Sequence, residues 1–103
     1  MKKLYQEIVA KLIERTINKK IKWDYTASKM YRTFLNNDII FLFSKTEYGY
    51  HVIIVRGPLN HSAKELINKH FSNNEVPKNF QKLYDLIIED ERKILNEILK
   101  DFE

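Results

Sequence analysis

The sequence predicts an α+β fold, a four-stranded antiparallel meander flanked by an N-terminal helix and two C-terminal helices in the order α-β-β-β-β-α-α. Three observations carry that expectation. Apolar residues recur at helical spacing at both ends of the chain, the period drops to two after Ile21, and Asn, Asp and Gly punctuate the middle as turn formers. At 103 residues the chain has the size of one domain spanning 1–103, with enough length to bury a core of its own.

The first helix runs from Lys3 to Asn18. Leu4, Tyr5, Ile8, Val9, Leu12, Ile13 and Ile17 make one stripe, and Lys11, Glu14 and Arg15 fall on the wet side. Asn18, Lys19 and Lys20 suit its end, because Asn tolerates left-handed backbone and cations favour a helix C-terminus. Ile21, Trp23 and Tyr25 then alternate with Lys20, Lys22, Asp24 and Thr26, the pattern of a strand with one buried face. Met30 to Leu35 reads as the second strand, and Asn36-Asn37-Asp38 as the tight turn that leads into the third, Asp38 to Ser44. A turn through Lys45-Thr46-Glu47, with Gly49 nearby, leads into the fourth, Tyr50 to Arg56.

Strands three and four are apolar on both faces. Ile39, Phe41 and Phe43 oppose Ile40 and Leu42, while Val52 and Ile54 oppose Ile53 and Val55. Such strands belong in the centre of a sheet, with helices on one side and some other cover on the second. Gly57-Pro58 ends the sheet. Ser62 and Glu65 have capping-box spacing, which predicts a short helix through Leu66, Ile67 and Phe71 that stops at Ser72-Asn73-Asn74. Pro77 is placed early in the last helix, whose Phe80, Leu83, Tyr84, Ile87, Ile94, Leu95, Ile98, Leu99 and Phe102 keep helical spacing. Glu89-Asp90-Glu91-Arg92 breaks this stripe, so the helix either runs past the sheet there or bends.

Composition narrows the chemistry. The absence of cysteine excludes disulfides, thiolate metal sites and a cysteine nucleophile, and fits a reducing, cytoplasmic setting. No apolar run has the length of a membrane span; the longest, Ile39 to Phe43, suits a strand. The formal charge of +4 is uneven: residues 1–22 hold seven basic and two acidic side chains, residues 61–103 seven basic and nine acidic. His51, His61 and His70 are the neutral-pH acid–base candidates, but they lack the two-His spacing of a metal motif. Glu89, Asp90 and Glu91 fan around a helix axis instead of converging. Neither a G-x-S-x-G elbow nor a glycine-rich phosphate loop is present. The expectation is a non-enzymatic chain with no cofactor and no metal.

Binding is what the residues favour. Lys19, Lys20 and Lys22 beside Trp23 are the nucleic-acid signal, since cations fix phosphate and aromatics stack on bases, but Trp23 is in register with core positions. Tyrosines near the sheet suit a protein interface, being large and amphipathic at small entropic cost. Tyr31, Ile40, Leu42, Tyr48 and Tyr50 are the expected interface residues.

Lys20-Ile21-Lys22-Trp23, Leu83-Tyr84 with Ile87, Ile94-Leu95 and Ile98-Leu99 occur in an order that resembles small uncharacterised α+β proteins of low-GC bacteria, prophages and mobile elements. The resemblance implies a protein that acts by binding, as an immunity, defence or counter-defence component. The expected partner is another protein or a second copy of the chain, with nucleic acid as the alternative and no membrane.

Overall fold

The computed structural model describes residues 1–36, 38–57 and 63–103. Helix α1 (Lys2–Ile17) leads into strands β1 (Asp24–Tyr25), β2 (Tyr31–Phe34), β3 (Ile39–Thr46), β4 (Gly49–Arg56) and β5 (Lys64–Ser72), and helix α2 (Phe80–Lys100) follows. The strands form one antiparallel sheet in the order β1-β2-β3-β4-β5. The α+β class and the antiparallel meander are as expected, with two corrections to the elements. Among the described residues the sheet has five strands, and one C-terminal helix follows it instead of two.

The added strand occupies the segment expected to be the short helix. Leu66, Ile67 and Phe71 are spaced like a helix face, yet Lys64–Ser72 pairs along the whole of β4, with a bulge between Ile54 and Val55. The backbone N–H and C=O groups on that side of β4 need partners, and a neighbouring strand supplies a full row. That demand outweighs a weak local preference. Ser62 of the expected capping box, together with His61, Pro58 and Asn37, lies outside the described residues, whereas Glu65 is a strand residue opposite Val55. The first strand is shorter than expected, with pairing confined to Asp24 and Tyr25. Pro77 precedes α2, its carbonyl accepting from the Phe80 N–H at 3.2 Å.

Both helices cover the same side of the sheet. Val9, Leu12 and Ile13 of α1 and Phe80, Leu83 and Ile87 of α2 close over Phe41, Phe43, Tyr50, Val52 and Phe71. The aromatic rings meet edge-on or stacked: Phe43 lies parallel to Tyr50 at 5.6 Å, and Phe80 stands edge-on to Phe43 at 5.7 Å and to Phe71 at 5.2 Å. Each such pair adds about 0.5–1.5 kcal/mol beyond the area it buries.

Local chemistry sets the joints between these layers. The α1 terminus is closed by the Lys20 N–H donating to the Arg15 carbonyl at 2.9 Å and the Lys19 N–H donating to that of Thr16 at 3.2 Å, the Schellman pattern. The left-handed residue is Lys19, at φ 57°, instead of the more tolerant Asn18, which lies at φ −83°. The Thr16 hydroxyl donates to the Leu12 carbonyl at 2.7 Å and accepts from Trp23 Nε1 at 2.9 Å, so the chain leaving α1 is pinned back onto it. At the β3–β4 hairpin Gly49 is required: a Cβ there would lie 1.8 Å from the Phe71 carbonyl oxygen on β5.

Candidate functional site

Side chains on the sheet face opposite the helices form rows set by the strand register. One row reads Phe34, Ile40, Val55, Glu65; the next Arg32, Leu42, Ile53, Asn68; the next Ser44, His51, His70. The face is therefore apolar at one end and polar at the other. Asp24 stands opposite Arg32 and holds it with two hydrogen bonds, Nε at 3.1 Å and a terminal guanidinium nitrogen at 2.6 Å. This guanidinium holds the Asp24 carboxyl below the usual carboxylate range, and its carbon lies 5.1 Å from the Phe34 ring centre. Leu42, Ile53 and Val55 are half-buried, and no described helix packs on them.

The second feature is a cleft of about 580 Å³ between the end of α1, β1, β2 and the middle of α2. Its walls include Trp23, Tyr25, Tyr31, Ile87, Ile94 and Leu95; Lys19, Lys22 and Lys93 supply positive charge to its lining, Asp90 and Glu91 negative charge. The Tyr31 hydroxyl donates to Glu91 at 3.1 Å. Burial first, and then that carboxylate, push the Tyr31 phenol up to about 12. The size and apolar walls are those of a binding cleft.

The third feature answers the question left by the charged break in the last apolar stripe. Helix α2 is continuous from Phe80 to Lys100, and Glu89–Arg92 marks where it leaves the sheet. From Glu89 onward every residue is exposed. Ile94, Leu95, Ile98, Leu99 and Phe102 are between 48% and 83% exposed, in phase with the buried Leu83 and Ile87 of the same helix. Ile94 and Leu95 also line the cleft, so the aromatic walls and the exposed stripe form one continuous surface.

The expected site residues are distributed among these features. Tyr31 lines the cleft, and Leu42 is on the open sheet face. Ile40 is on that face too, in register with Phe34 and Val55, but only 5% exposed. Tyr48 is 72% exposed at the β3–β4 turn. Tyr50 is in the core beneath the helices at 3% exposure, its hydroxyl donating to Gln81. Burial and the nearby Asp85 carboxylate raise its phenol above the ordinary value. Of the two alternatives the charged break left open, the continuous α2 takes the first and runs past the sheet; what sequence reasoning did not assign is a binding role for residues 94–102.

Lys19, Lys20 and Lys22 are all exposed, and two of them border the cleft. The adjoining Trp23 is not free to stack on a base, since it packs edge-on to Phe41 at 6.3 Å with its N–H held by Thr16. Asp90 and Glu91 share the same cleft and repel phosphate. On the open face His51 stands opposite His70, with ring centres 6.3 Å apart; His51 Nε2 is 2.5 Å from Asn68 Oδ1 and His70 Nε2 is 3.0 Å from the Thr46 hydroxyl. Among the described residues no group of three or more His, Asp or Glu is placed to hold a metal ion. No described helix is long and apolar enough to cross a membrane. Comparison with protein-family models, curated proteins and solved structures returns no match.

Proposed function

We propose that the protein is a non-enzymatic binding module for protein chains, acting in the cytoplasm. The observation that carries this reading is the overhang of α2, which leaves Ile94, Leu95, Ile98, Leu99 and Phe102 in water beside an aromatic cleft. A contiguous apolar patch of this kind is what a helix-in-groove interface uses, and soluble monomers keep such patches small. The apolar end of the open sheet face, around Leu42 and Ile53, offers a second contact area. Its neighbouring Asp24–Arg32 pair supplies a polar rim.

The test is affinity capture from a cell extract by the immobilised full chain and by its Leu95→Glu, Leu99→Glu double variant. Both substituted positions are more than half exposed, so the fold has no need of them. The reading expects a discrete set of proteins retained by the native chain and lost by the variant. Identical capture by the two removes α2 as the binding surface.

A further inference from the structure

The overhang and the cleft are complementary to each other when two copies are considered together, and we infer that the occupant of the α2 surface is a second copy of this chain, packed antiparallel so that Phe102 of each enters the aromatic cleft of the other. This deepens the protein-binding reading and rests on it.

Register supplies the first argument. The exposed stripe runs from Ile94 to Phe102 and is centred on Ile98. A twofold axis crossing α2 at Ile98 gives the greatest overlap of the two stripes, since an isologous contact sets each residue against one equally far on the other side of the axis. Ile94 then faces Phe102 of the second copy. Ile94 is a wall of the cleft, with Trp23, Tyr25 and Tyr31 around it, so a phenyl ring arriving there meets aromatic partners and not water.

Charge supplies the second. The same axis sets Lys93 against Glu103 of the second copy, and Glu97 close to its Lys100. Lys93 is mostly exposed and held only at 3.9 Å by Glu89 on its own helix, which leaves it able to serve a second carboxylate. An antiparallel pair thus sets Lys93 against Glu103 at both ends of the contact; a parallel one would set Lys93 against Lys93.

Area supplies the third. With each side chain half to four-fifths exposed, the five residues present on the order of 600 Å² of surface per copy. The walls of the cleft bring this to the roughly 800 Å² per partner that a stable interface buries.

Sedimentation equilibrium of the full chain, from about 1 to 500 µM, tests the inference. The native chain is expected to be a dimer over most of that range. Leu95→Glu should weaken association by about 100-fold or more, and Phe102→Ala by about 10- to 30-fold, as for a central aromatic anchor. Glu103→Lys and Lys93→Glu should each weaken it about threefold, and the double variant should recover most of the loss, which only the antiparallel register allows. Circular dichroism should show every variant folded, differing from the native chain at most by the turns of α2 beyond Glu91. A monomer at 500 µM overturns the inference, as does a dimer indifferent to Leu95→Glu or a charge swap without recovery. A monomer that still captures a partner dependent on Leu95 leaves the protein-binding reading standing; one without such capture ends both.

Discussion

Between Phe80 and Ile87 the apolar face of α2 is closed over by Val9, Leu12, Phe43 and Tyr50, whereas between Ile94 and Phe102 the same face, in the same phase, stands in water. Nothing in the residue types separates the two halves. What differs is the cover: the inner half packs on the core strands, whereas at Glu91 the helix meets only the Tyr31 hydroxyl of β2, and from Glu89 onward its residues are exposed. An apolar stripe therefore says which side of a helix seeks cover, and the extent of the neighbouring layer decides whether that cover comes from the same chain.

Matched truncations separate the halves most sharply. Leu83→Ala removes a fully buried side chain and should cost about 2–5 kcal/mol of stability in urea unfolding. Leu95→Ala, measured at sub-micromolar concentration, should cost under about 0.5 kcal/mol. Equal losses would mean that the outer half is covered in the folded monomer.

The boundary itself is the next target. Tyr31→Phe removes the hydrogen bond to Glu91 and should destabilise by about 0.5–1.5 kcal/mol. The native phenol titrates at about 12 in the folded chain and near 10 when unfolded. A raised folded value means that its contribution is complete below about pH 10 and is lost as pH rises toward 12. Urea midpoints between pH 9 and 12 should fall more steeply for the native chain than for Tyr31→Phe.

On the covered side of the sheet the Thr33 hydroxyl is fully buried with no hydrogen-bond partner among the described residues. Thr33→Val keeps the shape and should stabilise by about 1 kcal/mol in the same assay. The smallest effect concerns the turn that carries the cleft rim. Lys19→Gly relieves a left-handed backbone and should add about 0.5–1 kcal/mol to stability. A loss instead would show that the Lys19 side chain contributes more than its backbone strain removes.

Much of this architecture is legible in the residues, for identifiable reasons. The continuous apolar runs Ile39 to Phe43 and Val52 to Val55 mark β3 and β4, central strands with one face packed under two helices. The stripe of Val9, Leu12 and Ile13 marks α1 in the same way. β5 is different: as an edge strand it has Phe71 as its one buried residue, and its other apolar residues, Leu66 and Ile67, are adjacent instead of alternating, so no clear period-two signal forms and the chance spacing of Leu66, Ile67 and Phe71 imitates a helix. Its strand state is imposed by β4. The site divides similarly. Trp23 and Tyr31 can be recognised as large amphipathic residues near a basic turn, but their meeting with Ile94 and Leu95 depends on where a helix 60 residues beyond Tyr31 passes over it, as its bond to Glu91 records.

The hydrogen bond from Tyr31 to Glu91 also divides α2 thermodynamically. Inside it the helix is held by the core; outside it, the remaining turns rely on their own backbone hydrogen bonds and on weak pairs such as Lys93 with Glu89. A helical end of that length is close to the coil transition on its own. Docking and helix completion therefore become one coupled step, with an unfavourable ordering entropy and a negative heat capacity attached to association. The affinity of the α2 surface should consequently fall on warming well before the sheet loosens, making that helical end the first part of the molecule to sense temperature.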